Sequence, residues 1–162
     1  MILIGKVKIL TKKIKETLFP RKSFKNKISN LLNSIYSKES SDVLIHNKGK
    51  IVREGKGLFD LEHDFTDGIY LRRMMLNKGT TIISGIHRRD HVWFLIIGNI
   101  TVSDQDGVTN YEAPYIGFSK LGTQRVIHAN EYSVFQNVFQ NPLGLSNLDD
   151  LEDFNYIMEY KK

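Results

Sequence analysis

The sequence predicts a mainly β domain of the sandwich or barrel class, with helical segments before and after it. Three observations favour this fold class. From Val43 onward, short apolar alternations are separated by glycines, which is typical of short strands joined by turns. The dipeptide Asp106-Gly107 lies between two alternating segments and is the strongest hairpin signature in the chain. The first 41 residues instead carry helical periodicity and most of the positive charge.

Residues 1–41 form a basic arm. They contain ten lysines and arginines against two acidic residues, a net charge of +8, whereas the other thirteen basic and sixteen acidic residues sum to −3. Apolar residues at helical spacing predict two amphipathic helices separated by Pro20. The second has an apolar stripe from Phe24 to Ile35, and Ser23 is its expected N-cap. The arm can bind nucleic-acid phosphates, lie on an anionic membrane surface, or pack its apolar stripes on the barrel or on a partner subunit. The regular stripe favours this packing.

The barrel is expected to span residues 43–142. The polar segment Ser37 to Asp42 has no periodicity and predicts a linker before it. Two further turns are expected, one at Asn77-Lys78-Gly79 and one at Lys120-Leu121-Gly122, because each of these segments ends in glycine. These turns divide the segment into the short strands that a barrel needs.

The last segment, 143–162, predicts a short C-terminal helix. Ser146 is its expected N-cap, and acidic residues fill the first turns, where the helix N-terminus favours negative charge. The apolar residues Leu148, Leu151 and Phe154 follow at helical spacing and would pack this helix on the barrel.

Composition excludes several classes of function. The chain has no cysteine, which excludes disulfides, thiolate zinc sites and cysteine nucleophiles. Its longest uninterrupted apolar run, Val92 to Ile97, is far shorter than the ~20 residues of a membrane span. The sequence also has no glycine-rich phosphate loop and no nucleophile elbow. A cytoplasmic protein is expected.

Several motifs between residues 67 and 137 form a pattern. They are Gly68-Ile69-Tyr70-Leu71-Arg72, Lys78-Gly79-Thr80, Gly85-Ile86-His87-Arg88-Arg89-Asp90-His91, Gly98, Ala113-Pro114, Gly122-Thr123-Gln124-Arg125, Ala129-Asn130-Glu131 and Ser133-Val134. In this pattern the segment resembles the cupin family of double-stranded β-helix barrels, and especially the short cupin-like proteins encoded by bacteriophages and prophages. The resemblance implies a mainly β, cupin-like jelly-roll barrel preceded by a basic helical arm and followed by a short helix.

The resemblance also implies where a metal would bind. Metal-binding cupins use two histidines and a glutamate from one motif and a third histidine from a second motif. Aligned on the family's glycines, His87 takes the second histidine position and His91 the glutamate position. Gly85 takes the first histidine position, and Arg125 takes that of the third. His87 and His91 are therefore the candidate ligands of a divalent transition metal, and two of the four usual ligands are lost.

The two histidines can meet one ligand only if the chain turns between them. On a straight strand they would be ~13 Å apart, because each residue rises ~3.3 Å. The polar triplet Arg88-Arg89-Asp90 predicts such a turn. His128 is expected to point outward, because alternation places it on the opposite face from Arg125.

Arg72 and Arg125 complete the candidate ligand-binding set with the two histidines. A guanidinium at a ligand position disfavours a cation but suits a carboxylate or a phosphate, which it binds through forked hydrogen bonds. Alternatively, both arginines line a solvated rim or form salt bridges with Glu131 or Asp90.

The lost metal ligands and the separate arm favour a non-enzymatic binding or assembly module. We expect it to be phage-encoded and a component of the virion, with the barrel as a scaffold or small-ligand pocket. The arm would attach a protein partner, nucleic acid or a second copy, and a homo-oligomer is expected. Two alternatives remain. One is a metal-dependent cupin enzyme of the isomerase or oxygenase type that uses His87 and His91, and the other is an anion- or nucleotide-binding cupin.

Overall fold

The computed structural model describes residues 22–36, 44–47, 50–53 and 59–157, and within them the chain is mainly β. Two helices, α1 (Lys22–Tyr36) and α2 (Leu148–Asn155), flank most of the strands. The strands are β1 (Leu44–Asn47), β2 (Lys50–Arg53), β3 (Phe59–Thr66), β4 (Ile69–Leu76), β5 (Thr81–Ile83), β6 (Ile86–His87), β7 (His91–Ile97), β8 (Asn99–Asp104), β9 (Gly107–Glu112), β10 (Tyr115–Ser119), β11 (Val126–Ala129), β12 (Ser133–Gln140) and β13 (Tyr156–Ile157). The predicted fold class is confirmed.

Two antiparallel sheets make the body of the domain. The five-stranded sheet has the order β10-β7-β12-β4-β3, and the four-stranded sheet has the order β5-β11-β8-β9. From β4 to β12 the chain passes repeatedly between the two sheets, so they enclose a common interior as in a jelly roll. β1 and β2 pair with each other in a separate hairpin. The two large sheets are therefore built from strands within residues 59–140.

The interior contains two apolar clusters. The larger consists of Met74, Leu76, Trp93, Leu95, Ile100, Val102, Ile127, Ala129 and Phe135, which come from both sheets. The smaller consists of Tyr70, Phe139, Leu151 and Tyr156, and it joins the five-stranded sheet to the C-terminal segment. Each large apolar side chain buried in this way contributes about 1.5–3 kcal/mol to stability. The candidate site residues lie next to the smaller cluster.

Gly117 allows close packing at the edge strand β10. A Cβ atom at this position would overlap the indole ring of Trp93, which is paired across the strands with Gly117. A strand glycine of this kind marks a close approach rather than a turn. Trp93 can therefore lie flat against the backbone of β10, which leaves its other face to the barrel interior.

The hairpin between β8 and β9 is present, but its turn is one residue earlier than predicted. Asp104 pairs with Gly107, so the two turn residues are Gln105 and Asp106 rather than Asp106 and Gly107. The backbone N–H of Asp106 donates to the carboxylate of Asp104 at 2.9 Å. This side-chain contact starts the turn at Asp104, as aspartate commonly does in such turns.

Helix α1 has the first part of the predicted apolar stripe, at Phe24 and Ile28, but not the predicted start. It begins at Lys22, so Ser23 lies inside its first turn and is not the N-cap. Phe24 and Ile28 are buried whereas Lys25 and Lys27 are exposed, which is the expected amphipathic arrangement. The expected first helix and the expected linker lie outside the described residues. Neither described helix is long and apolar enough to cross a membrane.

Helix α2 also differs from the prediction. Its N-cap is Asn147 rather than Ser146, because the Asn147 side chain accepts hydrogen bonds from the N–H groups of Asp149 and Asp150 at 2.8 and 3.2 Å. The helix ends at Asn155 and the chain continues into β13. The buried face is Leu151, Glu152 and Asn155, while Leu148 is 38% exposed. A carboxylate therefore faces the interior where apolar residues were expected.

Candidate functional site

His87 and His91 lie side by side in the barrel interior. Strand β6 ends at His87, β7 begins at His91, and the chain bends at residues 88–90 between them, as predicted. The two imidazole ring centroids are 4.3 Å apart, and both residues are buried. Asp90 stabilises the bend, because its carboxylate accepts a hydrogen bond from the backbone N–H of Leu121 at 2.8 Å and another from the Lys120 amine at 3.2 Å.

The histidine pair is enclosed by aromatic rings. The centroid of His91 lies 4.5 Å from that of Phe139, and the centroid of His87 lies 4.9 Å from that of Tyr156. Burial lowers the pKa of His91 to about 4, and the positive charge of Arg125 adds to the effect. Burial also lowers the pKa of His87 well below its ordinary value, with further contributions from His91, Arg125 and Arg72. Both imidazoles are neutral at neutral pH.

Three ring nitrogens of this pair are buried without a hydrogen-bond partner. They are Nδ1 of His87 and both ring nitrogens of His91. His91 also interacts with the backbone of Arg89 and with the side chain of Asn137, and both interactions raise its pKa against the effect of burial. Buried polar atoms in folded proteins are almost always hydrogen-bonded, so a cluster of unpaired nitrogens marks a place where a further molecule can bind.

Arg125 is buried among neutral groups. Its Nη1 donates to Oγ of Ser119 at 2.6 Å and its Nη2 donates to the carbonyl oxygen of Phe118 at 3.3 Å. The guanidinium carbon lies 5.5 Å from the centroid of the Trp93 ring, and Nε is buried without a partner. Burial lowers the pKa of Arg125, while Asp104, on the partly exposed end of β8, acts in the opposite direction. Its positive charge thus has no carboxylate in direct contact among the described residues.

The alternative interpretations of Arg125 do not hold. It is 7% exposed, so it does not line a solvated rim. Asp90 is engaged by Lys120 and Leu121, and Glu131 is exposed on the surface. The salt bridges considered for Arg125 are therefore wrong, and its charge faces the interior.

Arg72 lies in the same interior but has different partners. In one row across the five-stranded sheet, Arg72 pairs with Asn137, and Asn137 pairs with Trp93. The guanidinium carbon of Arg72 lies 5.9 Å from the ring centroid of Tyr156, whose side chain it hydrogen-bonds. Burial alone would lower the pKa of Arg72, but Tyr156, Tyr70 and Glu152 together raise it. The charge of Glu152, which is buried, therefore acts on Arg72, whereas Asp104, the carboxylate whose charge acts on Arg125, is partly exposed.

The structure thus gathers all four predicted ligand-binding residues in one interior: Tyr156 contacts both Arg72 and His87, His87 contacts His91, and Arg125 lies against Trp93 on the strand that begins at His91. It adds residues that the sequence did not indicate. Asn137 could have been found, because alternation along β12 places it on the same face as Phe139. Glu152 and Tyr156 have no sequence signature, since they reach the site only through the pairing of β13 with β6.

His128 lies outside the site, as predicted. It is exposed, and its Nδ1 lies 2.8 Å from the hydroxyl of Thr81 on the outer surface of the four-stranded sheet. Nothing in its position connects it with the histidine pair.

The residues of the site fit a metal ion poorly. Within the described parts of the chain, no group of three or more histidine, aspartate, glutamate or cysteine side chains could hold one. His87 and His91 would supply two donors, whereas firm transition-metal sites use three or four. Arg125 adds a positive charge close enough to lower the pKa of both imidazoles, which also disfavours a cation.

Comparison with solved structures finds similar folds in the cupin superfamily. A cupin superfamily protein from Desulfitobacterium hafniense is 7% identical, with a TM-score of 0.44 over 50% of this chain and 77% of that chain. A cupin_2 domain of an XRE family transcriptional regulator from Enterobacter cloacae is 11% identical, with a TM-score of 0.47 over 53% and 99% of the two chains. An acetylacetone dioxygenase from Acinetobacter johnsonii is 22% identical, with a TM-score of 0.43 over 54% and 65%. These are similarities of fold. No protein-family model matches the sequence, and no curated protein is significantly similar to it.

Proposed function

We propose that this protein is a non-enzymatic binding module whose barrel holds one small anion beside Arg125. The observation that carries the proposal is the guanidinium of Arg125, which is buried among neutral partners and keeps an unpaired Nε. A buried charge without a counter-charge costs several kcal/mol. A bound anion would offset this cost and so stabilise the folded protein, and the buried guanidinium would in turn favour binding of the anion.

The neighbouring groups suit the same ligand. Neutral imidazoles each carry one N–H donor, and a guanidinium offers two parallel donors to a carboxylate or phosphate oxygen pair. His87 and His91, which lie close enough for the charge of Arg125 to lower their pKa values, and Arg72 therefore supply further donors for such a ligand. The aromatic rings of Trp93 and Phe139 exclude water, which strengthens charge-assisted hydrogen bonds.

For the basic arm we propose attachment of the barrel to a partner protein or to a second copy. The separation of charge supports this, since residues 1–41 carry +8 and the rest of the chain −3. The resemblance of residues 67–137 to short phage-encoded cupin-like proteins supports a phage setting, with the protein as a component of the virion.

Anion binding is tested by thermal unfolding in sodium acetate at constant ionic strength, with chloride as the replaced anion. The wild type should melt at a higher temperature as acetate increases, because a ligand bound only to the folded state stabilises it. Arg125→Gln should remove this dependence. Arg73→Gln is the matched control, since Arg73 lies on the outer face of the five-stranded sheet and pairs with Glu62 at 2.5 Å. Equal shifts in all three proteins, or no shift in any, would contradict the proposal.

One observation favours the alternative of a metal-dependent cupin enzyme, namely the two adjacent imidazoles with unpaired nitrogens. Elemental analysis of protein purified without added metal separates the two functions. We expect metal far below one equivalent and an unchanged melting temperature after chelation. Near-stoichiometric metal that disappears in His87→Ala and His91→Ala would overturn the non-enzymatic proposal.

A further inference from the structure

The two imidazoles and the guanidinium of the candidate site are almost fully covered by the protein. His87, His91 and Arg125 are 4%, 6% and 7% exposed. A ligand that contacts such side chains can enter only after an element that covers them has moved aside. The attachments of the surrounding elements therefore indicate where the ligand enters.

Most of the surroundings of the site are fixed by backbone hydrogen bonds. Strands β7 and β12 each have a neighbour on both edges in the five-stranded sheet. The segment before Arg125 is bonded to the strand of His87, because the N–H of His87 donates to the carbonyl of Thr123 at 2.9 Å and the N–H of Gly122 donates to the carbonyl of His87 at 2.8 Å. Movement of these parts would break a large sheet or separate Arg125 from the histidines.

The C-terminal segment, residues 148–157, covers the site with a much smaller attachment. It consists of α2 and β13, and the ring centroid of Tyr156 lies 4.9 Å from that of His87. Strand β13 pairs with β6 over two residues, and β6 is its one neighbouring strand within the described residues. This segment can therefore separate from the barrel without breaking either large sheet.

Further contacts of the segment converge on the bend that follows His87. The backbone N–H of Arg88 donates to the carbonyl of Asn155, and the Nε of Arg88 donates to the carbonyl of Tyr156, both at 2.8 Å. The guanidinium carbon of Arg89 lies 3.8 Å from the ring centroid of Phe154. Arg88 and Arg89 are exposed, so these contacts can be exchanged for contacts with water.

A pivot precedes the segment. The side chain of Asn141, which is 2% exposed, donates to the carbonyl of Leu145 and accepts from the N–H of Leu145, both at 2.9 Å, which fixes the loop before the helix. The helix carries its own cap, because the side chain of Asn147 accepts from the N–H groups of its first turn. The chain can therefore turn at Ser146, between a fixed loop and a self-contained helix.

We propose that residues 148–157 form a lid over the site, which opens by turning at Ser146 and is held closed by Arg88. This inference rests on the proposed function, because the lid would admit the anion that binds beside Arg125. Packing of Leu151 and Tyr156 in the smaller apolar cluster favours the closed state. A short element with few contacts can open locally while the sheets stay folded.

The test measures access to the histidines with diethyl pyrocarbonate, which acylates neutral imidazoles, followed by peptide mass spectrometry. His87 and His91 should react more slowly than exposed His128 in the wild type, but at a measurable rate. Because the chain has no cysteine, Ile86→Cys/Ile157→Cys introduces one disulfide between residues that are opposite each other in the β13–β6 ladder. Oxidation of this pair should slow the reaction of His87 and His91 at least 10-fold and leave His128 unchanged.

The matched control is Thr101→Cys/Asn110→Cys, a pair of opposite residues in the β8–β9 ladder, away from the lid. Its oxidation should leave the rates at His87 and His91 unchanged. Reduction of the Ile86→Cys/Ile157→Cys protein should restore the faster reaction, which separates closure of the lid from any effect of the substitutions themselves.

A second variant covers the case in which the cysteine pair does not fold. Arg88→Ala removes the side-chain bond to Tyr156 at an exposed position, so His87 and His91 should react at least 3-fold faster than in the wild type. Arg73→Ala is the control, because the Arg73 side chain bonds Glu62 and Gln136 rather than the lid.

The lid is overturned if oxidation does not change the rates at the two histidines, if Arg88→Ala reacts no faster than Arg73→Ala, or if the wild-type histidines do not react at all. Acetate binding that depends on Arg125 would then still support the proposed function. Absence of acetate binding in the wild type would instead overturn the proposed function, and with it the admission of an anion by the lid, whatever the reaction rates show.

Discussion

The two interior guanidiniums differ in what balances their charge. Arg72 has Glu152 and two tyrosines near it, and these raise its pKa against the effect of burial. Arg125 donates to a hydroxyl and a carbonyl, which solvate the charge without neutralising it. This difference between Arg72 and Arg125 is what makes Arg125, rather than Arg72, the place where an anion contributes most.

The histidines contribute to the site through their neutrality. Burial is the main reason why both pKa values are depressed, and the positive charge of Arg125 adds to the effect, because a protonated imidazole would place a second positive charge in the same interior. Neutral His87 and His91 keep one acceptor and one donor nitrogen each. They can therefore adapt to a ligand oxygen or to a ligand hydroxyl without changing the net charge of the site.

The depressed pKa of His91 predicts a loss of stability in mild acid. Below pH 6.5 the unfolded chain takes up a proton that the folded chain, with a His91 pKa of about 4, does not. Stability is therefore complete above pH 6.5 and falls as the pH decreases toward 4, by about 2 kcal/mol at pH 5 for this residue. Urea unfolding at pH 7.5 and 5.0 should show a loss about 2 kcal/mol larger in the wild type than in His91→Gln, because the depressed pKa of His87 contributes to the loss in both proteins.

Carboxylate protonation also reduces stability in acid, but it affects the wild type and His91→Gln alike and cancels in the comparison. Parallel losses in the two proteins would mean that His91 titrates normally in the folded state. In that case the imidazole would be solvated and could not belong to a buried anion site.

Among the secondary-structure elements, the strands were predictable and their junctions were less so. Along most of β7 and β12, buried residues alternate with less buried ones, because one face of each strand packs against the core. The β8–β9 turn and the N-cap of α2 were each displaced by one residue. In the turn, the side chain of Asp104 accepts a hydrogen bond from the backbone N–H of Asp106. At the start of the helix, the side chain of Asn147 accepts one from the backbone N–H of Asp149. Sequence propensity does not distinguish between neighbouring polar residues that can make the same bond.

The C-terminal helix was predicted, but the short strand that follows it and the side chains that this segment brings to the site were not. Strand β13 has two residues, which is too short for any periodicity, and its partner β6 has two as well. The short helix before it has an amphipathic pattern, but its buried face includes Glu152 and Asn155. Tertiary contacts with Arg72 and Arg88 make this face favourable. The candidate site was therefore predictable in part. Motif positions indicated Arg72, His87, His91 and Arg125. Glu152 and Tyr156 could not be found in this way, because they reach the site only through the tertiary packing of the C-terminal segment.

The distribution of charge divides the chain into a basic arm and a mildly acidic remainder. Both large sheets and both apolar clusters come from residues 59–157, so the barrel has its own core. In helix α1, Phe24 and Ile28 are buried within the chain, whereas Lys25 and Lys27 are exposed. Attachment by the arm is therefore expected to use its exposed basic side.

Deletion of residues 1–41 should leave a folded barrel that no longer associates. The core clusters contain no residue from the deleted segment, so thermal unfolding should stay cooperative. Sedimentation velocity should show an oligomer for the full chain and a monomer for the truncated protein. Lys25→Gln/Lys27→Gln in the full chain should weaken association, and higher salt should have the same effect, because exposed charges are screened within about 10 Å at 0.1 M.

Two outcomes would change this assignment of roles. Loss of cooperative unfolding on deletion would mean that Phe24 and Ile28 belong to the barrel core, and the arm would then be part of the domain rather than an attachment. An oligomer that persists after deletion would place the contact on the barrel itself. The exposed side chains of Ile116 and Phe118 on the edge strand β10 would then be the first positions to substitute, because uncharged apolar edges readily pair with other chains.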